Sequence, residues 1–305
     1  MNRKILPILF LLTGLVFPLI GCQTKENNPP EQPIVSSPSL FTLENYPRVD
    51  GSTANIPLAV LLAQKTMDIS AELAENTIAF STTTYAYHNL TYDQADLLLV
   101  YEASEETKQI LPESGVELEY YPIGLDALVF IVNESNPINN LTTQQVQDIY
   151  QGKIVNWNQV GGADAPIAAF QRDTNSGSQA LMKKLVMKNL KMSQAPIEFT
   201  PAEMGELIEQ LADYNNEGNA LGYSVYYYAQ NMYTQPGLKF LSIDGVSPSN
   251  DTIADQSYPF INQFYAVIRA DEKPDSPTRK LLAYILSPEG IKVIEESGYV
   301  AIKNQ

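Results

Sequence analysis

Two runs of consecutive apolar and aromatic residues constrain the fold more than any other feature of this 305-residue sequence. They are residues 97–101 (Leu-Leu-Leu-Val-Tyr) and 127–132 (Ala-Leu-Val-Phe-Ile-Val). A strand of this composition must be covered on both faces, as in a parallel sheet enclosed by helices. Helical patterns at residues 58–65, 142–152 and 202–213 alternate with strand-like runs. The sequence therefore predicts an α/β fold with mostly parallel sheets, in which ligands bind at the carboxyl ends of strands.

One strand-to-helix connection concentrates hydrogen-bond donors. The strand-like run 166–170 is followed by Arg172, and Ser176, Gly177 and Ser178 then open an apolar helix. This order places a guanidinium, two hydroxyls and the free N–H groups of a helix start in one small volume, where the helix dipole is positive. Such a volume suits a tetrahedral oxyanion.

A second donor-rich connection lies far earlier in the chain. Gly51 is followed there by the hydroxyls of Ser52 and Thr53, and Ala54 begins a helix. Two such connections indicate one anion held between two lobes. Both segments also fit ordinary helix N-caps, which favour Ser, Thr and Asp, and that alternative stays open.

The N-terminus has the pattern of a bacterial lipoprotein export signal. Arg3 and Lys4 precede an apolar run at residues 5–20, and Leu-Ile-Gly then leads to Cys22, the only cysteine. The run is short for a transmembrane helix and fits a signal sequence. We therefore expect residues 1–21 to be cleaved and Cys22 to carry a lipid anchor, which places the protein outside the cytoplasm on the cell membrane.

Residues 22–39 are polar and rich in proline, which predicts a flexible tether. Because cleavage removes Arg3 and Lys4 and no acidic residue, the net charge of −16 becomes −18. A body this acidic is not expected to bind nucleic acid. We expect it to be a monomer.

The sequence offers no signal of catalysis, and neither a metal nor a cofactor is expected. His88 is the only histidine, and no Gly-x-Ser-x-Gly elbow, Cys/His metal spacing, calcium loop or nucleotide-binding glycine motif is present. We interpret His88 as a side chain on a helix surface.

Four segments in this order resemble the phosphate-binding lipoproteins of bacterial ABC importers, the phosphate-type branch of class II periplasmic binding proteins. They are residues 50–54, 144–157, 171–178 and 222–228. The resemblance covers about residues 46–303.

The resemblance implies two α/β lobes joined by two crossing strands, which close on one ligand by a hinge motion. Lobe 1 would comprise residues 40–122 and 245–305, and lobe 2 residues 123–244. The crossings would fall near residues 121–126 and 238–245. Trp157, the only tryptophan, is expected in the core of lobe 2.

The resemblance also assigns ligand contacts by motif position. Arg172 would supply the full positive charge, in bidentate geometry. Hydroxyl and backbone hydrogens would come from Ser52, Thr53, Ala54, Thr82, Thr83, Ser176, Gly177 and Ser178. Residues 81–84 replace the Gly-Ser-Ser-Gly turn of the family, so which hydroxyl contacts the ligand stays open, and Thr82 and Thr83 are our choice.

The largest departure from the family concerns an acidic residue. The second strand of the family ends in a pattern like Gly-Ala-Ser-Asp, whose Asp accepts the proton of hydrogen phosphate and so discriminates against sulfate. Here Tyr101 occupies that position and Glu102 follows. We hypothesise that Glu102 is the acceptor, and the alternative is a surface carboxylate.

These observations predict an extracytoplasmic, lipid-anchored solute-binding protein that captures inorganic phosphate and delivers it to the permease of an ABC importer, without catalysis. One alternative is the binding of another oxyanion, such as sulfate or molybdate, or of an organic phosphate. Another is a surface sensor or adhesin without transport. A hydrolase is the weakest alternative, because no nucleophile–base pair can be assembled.

Overall fold

The computed structural model describes residues 39–111, 115–174, 176–213 and 218–302. The predicted signal peptide 1–21, the lipidation of Cys22 and all but the last residue of the tether 22–39 lie outside the described residues. Within the described ranges, no helix is long and apolar enough to cross a membrane.

Strands and helices alternate along the chain. The strands are β1 (Val49–Gly51), β2 (Leu97–Tyr101), β3 (Leu118–Asn133), β4 (Asn140–Leu141), β5 (Ala168–Ala169), β6 (Ala220–Val225), β7 (Leu238–Phe240), β8 (Ser242–Ile243), β9 (Ile261–Arg269) and β10 (Val300–Ala301). The α-helices are α1 (Ile56–Met67), α2 (Ala71–Thr77), α3 (Thr83–Thr91), α4 (Glu105–Ile110), α5 (Thr143–Tyr150), α6 (Gly177–Leu181), α7 (Met204–Asp213), α8 (Asn250–Ala254), α9 (Pro277–Ile285) and α10 (Pro288–Glu296). Helix α6 continues into a π-helical turn at Met182–Met187.

The main sheet has the strand order β1-β2-β9-β3-β6-β5, and β7 and β10 also pair with β3. Strand β3 joins the two parts of this sheet, because its residues 118–127 pair with β9 and its residues 128–132 pair with β6. We call the part that contains β1, β2 and β9 lobe 1, and the part that contains β5, β6 and β7 lobe 2. The two-lobed α/β fold predicted from the sequence is confirmed.

Strand β3 runs through the first predicted crossing at residues 121–126. After β8 ends at Ile243, the chain re-enters the sheet of lobe 1 at Ile261. That interval contains position 245, where the sequence places the second boundary; the exact domain limits stay a prediction.

The direction of the strands differs from the mostly parallel arrangement that we expected. Among the described residues, three pairings are parallel, β1–β2, β5–β6 and β4–β8. Five are antiparallel, β2–β9, β3–β9, β3–β6, β3–β7 and β3–β10. Strand β2 and the run 127–132 of β3 are buried at every position, as predicted, and the burial of β3 extends back to residue 123. An enclosed antiparallel sheet needs the same apolar pattern as an enclosed parallel one, so the pattern alone does not reveal strand direction.

The topology brings the ends of two lobe 1 strands together. Strands β1 and β2 are parallel neighbours, with Gly51 opposite Leu99. A side chain at Gly51 would collide with the Leu99 carbonyl oxygen, since a Cβ built there lies 1.9 Å from that atom. Only glycine permits this approach, and the hydroxyl residues that follow β1 are thereby held against the end of β2.

Candidate functional site

Ser52 holds the lobe 1 side of the site together. Its backbone N–H donates to the Leu99 carbonyl at 3.0 Å. Its Oγ accepts from the Tyr101 N–H at 3.1 Å and lies 2.8 Å from the Thr83 Oγ1. The end of β1, the end of β2 and the start of α3 are therefore connected through one buried hydroxyl.

The buried carboxylate of Asp50 fixes the loop before α3. Its Oδ1 accepts from the N–H groups of Gly51 and Ser81 at 2.7 and 2.8 Å. Its Oδ2 accepts from Ser81 Oγ at 2.6 Å and Asn89 Nδ2 at 2.8 Å. Thr82 follows with a φ of 82°, which a β-branched residue rarely adopts and which concentrates at functional sites.

Arg172 dominates the lobe 2 side. The residue is 6% exposed, and its guanidinium donates to the carbonyls of Pro201 (Nε, 3.2 Å) and Ala202 (Nη2, 2.8 Å). The buried Nη1 has no hydrogen-bond partner among the described residues. Burial lowers the pKa of Arg172 below its ordinary value, because a low-dielectric surrounding disfavours the charged form. A buried cation with an unsatisfied donor is the kind of group that an anion stabilises.

The start of α6 meets lobe 1 at Gly177. A Cβ built on Gly177 would lie 2.7 Å from Thr83 Oγ1 and 3.8 Å from the Tyr101 Cδ2. The preceding Ser176 makes no side-chain cap to its own helix, and its Oγ lies 3.0 Å from the Ser178 Oγ. The lobes are thus in close contact where the predicted donors lie.

A pocket of about 400 Å³ lies at this junction. Seven of the predicted ligand-binding residues line it: Ser52, Thr53, Thr82, Thr83, Arg172, Ser176 and Gly177. The structure therefore brings the two donor-rich connections to one place, as the sequence predicted.

Three predicted residues do not line this pocket. Ala54 is fully buried, and its carbonyl accepts from the Tyr299 hydroxyl at 2.9 Å. Ser178 is fully buried, and its Oγ lies 3.0 Å from the Ser176 Oγ. The third is Glu102. Their roles in ligand binding stay predictions.

Glu102 lines a different and larger cavity of about 1050 Å³, together with Lys184. Its Oε1 is 2.5 Å from the Lys108 Nζ, and its Oε2 pairs with the Lys184 Nζ of lobe 2. Partial burial alone would raise the pKa of Glu102, but hydrogen bonds from the two lysines hold it below its ordinary value. A carboxylate engaged in this way is a poor acceptor for a ligand proton.

Several residues of the site carry no motif that sequence reasoning would detect. Tyr101 lines the pocket, and its hydroxyl donates to the buried Asp126 Oδ2 at 2.7 Å. Asp126 is the only acidic residue in the apolar stretch of β3, and this was the only feature of the sequence that could have drawn attention to it. Asp173 and Glu203 line the pocket from lobe 2. Among the residues that the structure describes, no group of three or more His, Cys, Asp or Glu is arranged to hold a metal ion.

Comparison with known proteins defines the class of this protein. The PBP superfamily domain family matches residues 42–289, so the chain belongs to that family. Among curated proteins it is similar to the phosphate-binding protein PstS of Borreliella burgdorferi, with 28% identity over 202 residues that cover 65% of this chain and 70% of the relative. PstS of Staphylococcus epidermidis is 26% identical over 204 residues, 65% of this chain, and the match spans 60% of that relative's length.

Solved structures support the same fold. An ABC-type phosphate transport receptor from Vibrio cholerae superposes with a TM-score of 0.61 at 25% identity, covering 83% of this chain and 98% of the other. A substrate-binding protein from Clostridium perfringens, solved with bound phosphate, superposes with a TM-score of 0.67 at 23% identity, covering 85% and 100%.

Proposed function

We propose that this protein is an extracytoplasmic solute-binding protein that captures inorganic phosphate between its lobes and delivers it to an ABC importer. The observation that carries the proposal is Arg172. Its guanidinium is buried at the wall of a hydroxyl-lined pocket, and its Nη1 has no partner among the described residues. A tetrahedral oxyanion supplies both the charge and the acceptor that this group lacks.

The surrounding hydroxyls add directional hydrogen-bond donors to that charge. Ser52, Thr83 and Ser176 come from both lobes, and each hydroxyl can donate to an anion in the pocket. The relatives named phosphate-binding protein support phosphate among the oxyanions.

We infer binding without catalysis. The single histidine, His88, stacks on Tyr92 with ring centroids 4.2 Å apart and does not line the pocket. The relatives are named for what they bind or transport.

The lipid anchor on Cys22, the tether 22–39, the monomeric state and the docking on a permease complete the proposal. The sequence pattern before Cys22 supports the anchor, and the similarity to ABC transport receptors supports the permease.

Calorimetric titration of the mature chain, residues 22–305, tests the proposal. After removal of carried-over ligand, we expect saturable one-to-one phosphate binding without turnover. Absence of phosphate binding, with binding of sulfate, molybdate or an organic phosphate instead, would assign the pocket to that ligand. Unchanged phosphate uptake in a deletion strain under phosphate limitation would favour a sensor over an importer.

A further inference from the structure

A phosphate pocket that rejects sulfate needs a group that only accepts hydrogen bonds. Hydrogen phosphate and sulfate have the same shape and charge, but only the former carries a proton to donate. Hydroxyls such as Ser52 and Thr83 can either donate or accept, so they serve both anions. A carboxylate accepts from hydrogen phosphate and repels sulfate, which makes it the discriminating group.

The carboxylates of lobe 1 near the pocket are already engaged. Asp50 accepts four hydrogen bonds from its own loop network. Glu102 is paired with Lys108 and Lys184 outside the pocket. Tyr101, at the position where the family has its acidic residue, points its hydroxyl at Asp126.

Two carboxylate residues line the pocket among the residues that the structure describes, Asp173 and Glu203. Both come from lobe 2 and flank Arg172. Asp173 already interacts with another group of the protein. The Glu203 carboxylate has no hydrogen bond or ion pair within the described ranges, although it is close enough to interact electrostatically with the Arg172 guanidinium.

The backbone around Glu203 is fixed. The preceding residue, Ala202, accepts from Arg172 Nη2 at 2.8 Å, which holds this loop beside the guanidinium. Glu206 Oε2, one turn into α7, accepts from the N–H groups of Ala202 and Glu203 at 3.1 and 3.4 Å. The loop thereby places Glu203, an exposed residue that lines the pocket, directly after the residue whose carbonyl accepts from Arg172.

We propose that Glu203 is the specificity-determining residue of the pocket: its carboxylate accepts the hydrogen of a protonated oxyanion held by Arg172, and it repels sulfate. This inference rests on the proposed phosphate-binding function. It assigns to lobe 2 the role that the sequence alone gave to Glu102.

Three matched neutralisations test the assignment: Glu203→Gln, Asp173→Asn and Glu102→Gln. Each is nearly isosteric and removes one negative charge. Calorimetry gives the dissociation constants for phosphate, arsenate and sulfate in every variant. Arsenate is a second protonated tetrahedral anion and should follow phosphate.

We expect Glu203→Gln to reduce the preference for phosphate over sulfate by roughly 10- to 100-fold, the range for one hydrogen bond to a charged group. Phosphate and arsenate should weaken while sulfate strengthens, and Glu102→Gln, which lies outside the pocket, should keep the preference of the unmutated protein within about threefold. Asp173→Asn, which changes a second residue of the pocket lining, should alter the preference less than Glu203→Gln does. Phosphate binding with an unchanged preference in Glu203→Gln would overturn this inference alone, as would a loss in Asp173→Asn or Glu102→Gln instead. No phosphate binding by the unmutated protein would overturn the proposed function itself.

Discussion

The two halves of the pocket differ in how complete they are. On lobe 1, the hydroxyls of Ser52 and Thr83 bond to each other, and the Asp50 network fixes the loop beside them. On lobe 2, Arg172 is buried with two carbonyl acceptors, and its Nη1 has no hydrogen-bond partner among the residues that the structure describes. Lobe 1 thus presents a neutral surface that is already formed, whereas lobe 2 presents a buried charge with a hydrogen-bond donor that a ligand can satisfy.

Because of this difference, we expect lobe 1 mainly to set the geometry of the bound ligand and lobe 2 mainly to supply the binding energy. A preformed surface costs little to organise when the ligand arrives, which is the benefit of preorganisation. A buried guanidinium with an unmet donor is unfavourable alone and is relieved by an anion. We therefore expect substitutions in lobe 2 to remove affinity directly, and substitutions where the lobes meet to act through closure.

The largest loss of phosphate affinity should follow from Arg172→Lys. A lysine keeps the charge but lacks the fork that reaches Pro201, Ala202 and a ligand oxygen at once. Phosphate affinity should fall by on the order of 100-fold, as judged by the cost of losing a charged hydrogen bond. Calorimetry measures the affinity and thermal unfolding provides the control, because an equally large loss of stability would mean that Arg172 acts mainly in folding.

A smaller loss of phosphate affinity is expected from Gly177→Ala, which tests the contact between lobe 2 and lobe 1. The new Cβ would lie 2.7 Å from Thr83 Oγ1, so the contact between the start of α6 and Thr83 must loosen. Affinity should fall about tenfold, the scale of a steric clash that can partly relax. Gly177→Ala combined with Thr83→Ala removes the opposing hydroxyl, so the two changes should be non-additive. Strict additivity in calorimetry would contradict the clash.

Local patterns were sufficient to predict the elements that carry the site. The predicted helix at residues 142–152 is α5, which begins at a Thr142–Gln145 capping box, and Trp157 is buried in the core at 1% exposure, as predicted. The two donor-rich connections also meet as expected. In each case the signal is a short pattern whose physical cause is local: a helix start, an apolar run, or a turn.

Contacts between distant residues could not be predicted in the same way. Glu102 pairs with Lys184, which is 82 positions away, and no local pattern reveals that partner. Glu203 lies in a loop without a motif and reaches the pocket because Ala202 binds Arg172. Strand direction was also missed, because burial on both faces gives the same sequence pattern in both arrangements.

Asp126 allows a test of the region that joins the halves. Its carboxylate accepts from the Tyr101 hydroxyl of lobe 1 and from the Tyr227 N–H that follows β6 of lobe 2. Burial raises the pKa of Asp126 from 3.8 to about 6. Because the folded state then binds the proton more tightly than the unfolded state, the contribution of Asp126 to stability falls as pH rises from 3.8 to about 6 and stays low above it.

The Asp126→Asn variant lacks this ionisation. Comparing it with the unmutated protein therefore separates the effect of Asp126 from that of other titrating groups. Between pH 5 and pH 8 the variant should gain about 1 kcal/mol of stability relative to the unmutated protein. Chemical denaturation at both pH values measures the difference. A constant difference in unfolding free energy would show that Asp126 does not titrate in this interval.

The smallest effect is expected from the ion pair across the lobes. Glu102 bonds Lys108 within lobe 1 and Lys184 in lobe 2, and the lysine side chains are 38% and 50% exposed. Exposed pairs contribute about 0–1 kcal/mol, so Lys184→Gln should weaken phosphate binding by only about twofold, and less at high salt. Lys108→Gln is the matched control, because its pair does not span the lobes and should leave affinity unchanged. Equal losses in the two variants would mean that the charge of the cavity matters, and that closure does not depend on the bridge between the halves.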